Sequence, residues 1–462
     1  MKKNIAVVGM GYVGIPIAVS LALTGKWNVT GIDVIREKVE SLNRGVLPIG
    51  GEEPQLPEML KRAVGEGSFR ATTDFSAVRG SYAVLINVQT PVDDKGVPDY
   101  TYLLSAAKSV GENLEGGTLV VLESTVAPGT TERILKPALE EASGLRCPEE
   151  FQLAYSYERV MVGRLIHNLR NYPRVVGGID EESRRRAAEI YRSIVQADVV
   201  ETDILTAEVA KTVENAYRDV NIAFANEVAL LCEALGVDVY RVRELVNNLP
   251  YDPSQPHANP LRNMHIPGAG VGGHCLPKDS LLLIHGARAF GRHEVDAPLM
   301  LLSRRINDYM PLHTFRLAKA ILEREGVDIK GAKVAVLGYA FLQDSDDARN
   351  TPSRTFSEIM MWSGASVSVH DPYVREGDVI EGVHFTRELE EALKGSDLAV
   401  VITAHSVYKD LTPALFKKRM RRANLLDGRA LYRGREAEFE EAGVKYISLG
   451  RGDTLRGFSL TP

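Results

Sequence analysis

Short apolar runs recur along the first third of the chain, each closed by glycine, proline or an acid. NIAVVG (4–9) is a β-branched run ending in a glycine turn, and IPIAVSLALTG (15–25) repeats its apolar residues at helical spacing. NVTGIDV (28–34) reads as a second buried strand, followed by YAVLINV (82–88) and TLVVLES (118–124). Strands that alternate with helices predict a parallel sheet covered on both faces.

From Leu205 to Leu235 the pattern turns helical without a break, and Gly236 stands where a helix cap belongs. Val209, Val213, Ala216, Val220, Phe224 and Val228 recur at steps of three and four, while Tyr217, Ala223 and Leu231 fall on other faces. A helix apolar on more than one face bridges domains or forms a subunit interface. NLPYDPSQPHANP (248–260) follows, with prolines at 250, 253, 256 and 260 that forbid a regular helix or a central strand.

After Lys330 the opening grammar returns: KVAVLGYAF (333–341) echoes NIAVVGMGY, SVSVHDP (366–372) echoes NVTGIDV, and DLAVVITAH (397–405) echoes YAVLINVQT. The predicted fold class is therefore α/β, with two Rossmann-like, doubly wound domains joined by a long central helix and a helical middle region. The boundaries read as 1–200, 201–312 and 313–462. Lacking the glycine fingerprint of the first, the last domain is expected to bind something other than a dinucleotide.

Composition narrows the class. The 462 residues are 44% hydrophobic and 25% charged, and the net charge of -6 offers no general attraction to nucleic acid or an anionic membrane. No apolar run approaches the roughly 20 residues of a membrane span. The start, MKKNIAVVGMGYVG, resembles a signal peptide only until its glycines break the apolar stretch. Cys147, Cys232 and Cys275 are odd in number and far apart, which argues against a disulfide framework. The expectation is a soluble cytoplasmic protein.

Gly9-Met10-Gly11-Tyr12-Val13-Gly14 is G-x-G-x-x-G between a strand and a helix. The first glycine permits the turn, the second lets a pyrophosphate approach the backbone, and the third lets helix and strand pack closely. Asp33 ends the next strand, where a carboxylate meets the adenosine ribose hydroxyls and disfavours a 2′-phosphate. NAD is the predicted cofactor.

GAGVGGHCLPKDS (268–280) sets one cysteine against four glycines. A glycine-rich loop lets a ligand approach the backbone and the thiol, and a nearby cation such as Lys278 raises the thiolate fraction. His257, His265, His274 and Cys275 lie close in sequence, but the adjacent His274-Cys275 pair suits a single ion poorly and no finger-like second pair follows, so no metal is expected. An NAD domain with a reactive cysteine points to an oxidation that continues past the aldehyde, through a thiohemiacetal and a thioester, to an acid.

The motifs VVGMGYVGIPIA, VQTP, ESTVAPGTT, EVAKTVENAYRDVNIAFANE, GAGVGGHCLPKDS, AFLQDSDDARNTPS and LLDGR occur in one order. Together they make the chain similar, nearly end to end, to the UDP-glucose/GDP-mannose dehydrogenase family, and most similar to its branch oxidising UDP-N-acetylhexosamines, UDP-N-acetylmannosamine in particular. The resemblance implies Cys275 as nucleophile, and Lys211 and Asn215 on one helix face as oxyanion stabiliser and sugar contact. It implies Asp279 beside the hydrolytic water, Thr125 near the nicotinamide and Glu158 in proton transfer during thioester hydrolysis. Lys38, Thr90, Lys278 and Arg349 are implied to join the cofactor site. Arg159, Val160, Arg262, Gly270, Gly272 and Arg429 are implied to join the sugar-nucleotide site. Val162 replaces a carboxylate of the UDP-glucose enzymes, Tyr157 stands where the family has proline, and Leu342 stands at a position often lysine.

Without the resemblance, Lys211 reads as an exposed helical lysine paired with Glu208. The activity expected is NAD-dependent four-electron oxidation of the C6 hydroxymethyl of a UDP-sugar by a homodimer joined through the central helix. Alternatives are a UDP-glucose or UDP-N-acetylglucosamine 6-dehydrogenase, a two-electron β-hydroxyacid dehydrogenase, and an NAD-sensing protein without turnover.

Overall fold

The computed structural model describes residues 2–50, 53–93, 96–248, 254, 263–455 and 458. Arg262 and the four prolines of the 248–260 segment lie outside the described residues. The chain divides into two compact units, Met1–Asn215 with Lys278–Asp296, and Ala216–Pro277 with Ala297–Pro462.

The first unit is built on eight strands: β1 (Lys3–Val8), β2 (Trp27–Ile32), β3 (Phe69–Thr72), β4 (Ala83–Ile86), β5 (Leu119–Leu122), β6 (Gln152–Tyr155), β7 (Arg174–Gly178) and β8 (Val199–Asp203). They lie in the order β3-β2-β1-β4-β5-β6-β7-β8. The first six follow the Rossmann order, which leaves a crevice where the order reverses, beyond the ends of β1 and β4. One expectation needs correction: the sheet is not wholly parallel, because β7 pairs antiparallel with β6. Apolar pattern reports that a segment is a buried strand but carries no direction, so this reversal has no sequence signature.

Both faces of the sheet are covered. Ile5, Val7, Val29, Leu85 and Val121 face one cluster with the helix Gly14–Ala22, whose nine residues are all buried. Ala6, Val8, Val84, Ile86, Val120 and Leu122 face the other with Leu103, Ala107 and Val110. The alternation within each strand assigns its residues to the two layers in turn.

The second unit repeats the plan with β9 (Lys333–Leu337), β10 (Ser366–His370), β11 (His384–Thr386), β12 (Leu398–Val401), β13 (Asn424–Asp427) and β14 (Lys445–Ser448). Their order is β11-β10-β9-β12-β13-β14, with every pair parallel.

The central helix spans Ile204–Leu235, and Gly236 ends it at φ +71°. Small residues form part of its buried face: Ala225 and Ala229 pack with Met310, Leu317 and Val334 of the second unit. Its large residues are on the outside, Tyr217 at 70%, Phe224 at 57% and Leu231 at 57% exposure. That inverts the usual amphipathic helix and leaves an apolar stripe in water. Among the described residues no helix is long and apolar enough to cross a membrane.

Candidate active site

The fingerprint turn is shaped by close backbone approaches. Gly9 takes φ +92°, and a Cβ there would stand 2.4 Å from the Asn87 carbonyl oxygen; one at Gly14 would stand 1.9 Å from that of Gly9. At Gly11 the same construction meets nothing within 4 Å. Two glycines thus serve packing, and the middle one leaves open space where a pyrophosphate would lie at the N-terminus of the helix Gly14–Ala22. Asp33 follows β2 directly; its Oδ2 accepts from Met10 N at 2.9 Å and Lys38 Nζ at 3.0 Å, and its Oδ1 from Ile35 N at 3.0 Å. The donor set and the open cradle fit a dinucleotide. Beyond β4 and β5, Thr90 Oγ1 donates to Thr125 O at 2.5 Å and Ser124 Oγ to Val88 O at 2.6 Å, joining two loops at the crevice.

The Thr125 loop has a second support that sequence reading missed. Glu208, fully buried on the central helix, accepts from Gly129 N at 2.6 Å, Thr131 N at 2.9 Å and Thr131 Oγ1 at 2.6 Å. Pairing between Lys211 and Glu208 is therefore overturned: the carboxylate is committed to two backbone N–H groups and the Thr131 hydroxyl. Burial pushes the Glu208 carboxyl from its ordinary 4.5 up to about 7, against the pull of those three hydrogen bonds. A carboxyl held above its unfolded value stabilises the fold most below pH 4.5 and loses that contribution as pH rises through 7. Glu208→Gln is thus expected to flatten the fall in stability between these pH values by about 3 kcal/mol. Thermal melts of both proteins across the range check this; parallel pH profiles would contradict it.

Lys211 is 6% exposed, and its Nζ donates to the Glu158 carbonyl oxygen at 2.8 Å, 5.4 Å from the centre of the Tyr157 ring. Among the described residues no carboxylate forms an ion pair with it. One turn on, Asn215 Nδ2 donates to Asp279 Oδ2 at 2.5 Å, and Lys278 Nζ meets Asp279 Oδ1 at 2.8 Å. Asp279 is wholly buried, so each oxygen already has a donor, and the Lys278 ammonium is engaged by this carboxylate.

The segment after β6 carries Glu158, Arg159 and Val160. Glu158 Oε2 accepts from Val160 N. Arg159 donates through Nε to Glu214 Oε1 at 2.7 Å and through Nη2 to the Tyr157 hydroxyl at 3.0 Å. Val160 packs against the sheet core, while Met161 is 36% exposed. Two buried anchors hold this segment, both absent from the sequence reading. Glu53 accepts from Gly163 N and Leu165 N. Arg174 donates to Ser156 Oγ at 2.9 Å and to Glu123 Oε1 at 2.6 Å, in a buried ion pair.

Cys275, Gly270, Gly272, Arg349 and Arg429 belong to the second unit. The glycine-rich loop is held by Gly268 N to Asn226 Oδ1 at 3.0 Å, Arg429 Nη2 to Gly270 O at 3.1 Å and Gly273 N to Arg349 O at 2.9 Å. The space beside these glycines is filled by protein. A Cβ at Gly268 would stand 2.3 Å from Arg429 Nη1, and at Gly272 2.6 Å from Phe341 Cβ. The reading of the glycines as room for a ligand is corrected on this side of the loop, where close packing demands them. The half-buried Cys275 has its Sγ 3.5 Å from Nε2 and 3.9 Å from Nδ1 of His274. Arg349 Nε donates to Asp347 Oδ1 at 2.8 Å.

The second crevice repeats the first in backbone but not in capacity. Gly338 sits at φ +89° with its N–H on His370 O, as Gly9 has its own on Ile32 O. Asp371, in the place of Asp33, accepts from Tyr339 N, Ala340 N, Tyr373 N, Val374 N and His405 Nε2. Those donors hold its carboxyl down to about 2 against the effect of burial, and they occupy it fully. With Ala340 replacing the second fingerprint glycine, a dinucleotide is not accommodated as in the first unit.

Comparison with known proteins likewise separates an NAD binding domain from a UDP binding domain. Models of the UDP-glucose/GDP-mannose dehydrogenase family match residues 3–195 as the NAD binding domain, 205–309 as the central domain and 335–434 as the UDP binding domain. The UDP-N-acetyl-D-mannosamine dehydrogenase of Pyrococcus horikoshii is 38% identical over 450 residues, 97% of this chain and 100% of that protein. The NDP-N-acetyl-D-galactosaminuronic acid dehydrogenase of Methanosarcina mazei superposes with a TM-score of 0.85 at 43% identity, covering 99% of this chain and 97% of that one. A UDP-glucose dehydrogenase from Pyrobaculum islandicum does so with 0.82 at 31% identity, covering 94% and 96%.

Proposed function

Because the chain belongs to the UDP-glucose/GDP-mannose dehydrogenase family, and is thus an NAD-dependent nucleotide-sugar dehydrogenase, we propose that it oxidises the C6 hydroxymethyl of a UDP-N-acetylhexosamine to the uronate. UDP-N-acetylmannosamine is our first choice of substrate. The observation that carries the catalytic reading is Lys211, a buried ammonium held by a carbonyl oxygen and paired with no carboxylate among the described residues. A charge kept dry without a counter-ion is costly unless a developing oxyanion uses it.

Gly9 to Gly14, Asp33, Lys38, Thr90 and Thr125 would hold NAD, with Lys278 and Arg349 as further contacts; when bound, NAD accepts hydride from C6. Lys211 stabilises the alkoxide that forms as the alcohol loses its proton. The Cys275 thiolate adds to the aldehyde carbon, and Lys211 again balances the oxyanion of the thiohemiacetal. Loss of a second hydride from the thiohemiacetal carbon, to a second NAD that takes the place of the NADH first formed, leaves a thioester. Water, held by Asp279 and deprotonated with the help of Glu158, displaces the Cys275 sulfur as thiolate to give the acid. Asn215 orients the sugar. Glu158, Arg159, Val160, Gly270, Gly272, Arg262 and Arg429 complete the substrate contacts.

The sugar reading rests on the segment after β6. Val162 puts an apolar group where the UDP-glucose enzymes carry a carboxylate, and the exposed Met161 adds apolar surface for an acetamido methyl. A site built around the acetamido amide rejects sugars lacking it, because its polar partners stay unpaired. The 43% identity to the galactosaminuronate enzyme supports UDP-N-acetylgalactosamine as the second reading, with the same acetamido group. The exposed stripe of Tyr217, Phe224 and Leu231 supports a homodimer through the central helix. Three widely spaced cysteines favour the reducing cytoplasm.

The deciding experiment measures NADH and product with UDP-N-acetylmannosamine, UDP-N-acetylgalactosamine, UDP-N-acetylglucosamine and UDP-glucose. We expect a kcat/KM for UDP-N-acetylmannosamine above that for UDP-glucose by at least about 1.4 kcal/mol, roughly tenfold, with two NADH formed per uronate. A preference for UDP-glucose would overturn the sugar assignment and leave the chemistry. One NADH per sugar, with aldehyde accumulating, would overturn the chemistry.

A further inference from the structure

Asn350 is an exposed residue that adopts φ +49°, the left-handed region that favours glycine. Among the described residues only three other non-glycine positions have positive φ: Gln55, Asp344 and Ala430. Glycine would take this conformation at less cost, and exposure removes any packing reason to keep a larger residue. The side chain has one use on view: its Nδ2 donates to the Gly273 carbonyl oxygen at 3.0 Å.

The same peptide is gripped from its other side. Gly273 N donates to the carbonyl oxygen of Arg349 at 2.9 Å, so two consecutive residues satisfy both backbone groups of Gly273. The Asn350 carbonyl oxygen would stand 2.8 Å from a Cβ at Gly272, and the Phe341 ring 2.8 Å from one at Gly273, itself at φ +83°. The clamp is also anchored. Phe341 N donates to Asp347 O at 2.9 Å, Arg349 N to Asp347 Oδ1 at 3.1 Å, and Thr351 caps the helix Pro352–Trp362 through Ser353 N at 3.2 Å. Two residues beyond Gly273 stands Cys275, and the helix Leu276–Phe290 begins immediately after it.

We propose that Asn350 is a positioning residue for Cys275, its amide fixing the Gly273 peptide so that the thiol is presented in one place. The inference rests on the reading of Cys275 as the nucleophile. It predicts which step suffers. Removal of the first hydride from the alcohol needs no thiol, whereas capture of the aldehyde does, so a displaced Cys275 lets the aldehyde escape. A misplacement of about 1 Å lowers such a step by up to about 100-fold.

Asn350→Gly keeps the left-handed backbone and removes the amide; Asn350→Asp keeps the size and the tolerance of this φ, and sets an acceptor against the Gly273 carbonyl. Both are assayed in the full-length protein with NAD and the preferred sugar of the panel, with an aldehyde trap present. The expected result is that Asn350→Gly melts with or above the unaltered protein and keeps its KM for NAD within about threefold, while kcat falls roughly 10- to 100-fold and NADH per uronate departs from two as trapped aldehyde appears. Asn350→Asp shows the same release of aldehyde. An Asn350→Gly protein that turns over normally without leaking aldehyde would overturn the proposal. One that melts below the unaltered protein would do so too, by making Asn350 a support of the fold. Cys275→Ala in the same assay separates the two ideas. If it still makes uronate, the nucleophile reading fails; if it makes none while Asn350→Gly is normal, only the role of Asn350 fails.

Discussion

Cys275→Ala is expected to lower uronate formation by at least about 1,000-fold while leaving NAD affinity within about twofold, because the nucleophile has no substitute in the covalent route. The two effects separate because the fingerprint turn, Asp33 and Lys38 belong to the first unit and Cys275 to the second. The fold should tolerate the change. The loop is held by backbone bonds at Gly268, Gly270 and Gly273 and by the packing of Phe341 on the glycines, none of which uses the thiol. Cys275→Ser offers a sharper test. Its weaker nucleophile can still form an ester at the carbon that would carry the thioester, and slow hydrolysis lets the adduct accumulate for detection by intact mass. NAD titration, steady-state uronate formation and mass analysis on the two variants make the measurement. Near-normal turnover of Cys275→Ala would return this residue to the role of Cys147 and Cys232, small buried side chains in the core.

What sequence made legible was whatever lies in one contiguous run. The continuous apolar runs of β1, β4, β5, β9 and β12 announce central strands buried on both faces. The fingerprint and Asp33 follow from spacing within a single βαβ unit. Seven strands went unrecognised: β3 (FRAT), β8 (VVETD), β11 (HFT) and β14 (KYIS) are sheet edges, and β6 (QLAY), β7 (RVVGG) and β13 (NLLD) are interior but only four or five residues long. Half-wet edges have no apolar run to read, and runs this short are broken by polar residues or glycine before a period can show. Glu208, Glu53, Arg174 and Asn350 escaped for another reason. Each acts on a residue far away in sequence, Glu208 on Gly129 at a separation of 79 and Asn350 on Gly273 at 77. A carboxylate or amide that supports a loop from another element resembles any polar residue until the chain is folded. The glycines of residues 268–273 were visible but their packing role was not, because sequence shows that a side chain is missing without showing what fills its space on each side of the loop.

Lys211→Met is expected to lower kcat by about 100- to 1,000-fold, with the KM for NAD little changed, as removal of one preorganised donor to a developing oxyanion does elsewhere. Methionine keeps the length and apolar body of the stem, which is buried beside Tyr157, and removes only the charge and its donors. The structural cost is bounded, because the Glu158 carbonyl oxygen loses one hydrogen bond from a charged donor, worth about 1.5–3 kcal/mol net. Thermal melts will therefore show a limited shift, and a large kinetic loss cannot be assigned to unfolding. Unlike Cys275→Ala, this change should slow the first hydride transfer, since the alkoxide needs the same ammonium as the thiohemiacetal oxyanion. Rapid mixing of each variant with substrate and NAD distinguishes them: Cys275→Ala retains a burst of NADH, and Lys211→Met does not. A Lys211→Met protein with a normal burst would remove Lys211 from the chemistry and leave it as a buried donor to the Glu158 backbone. Lys211→Arg completes the test. It keeps the charge but spreads it over a planar group too large for the site, so recovery of full activity would show that charge alone suffices.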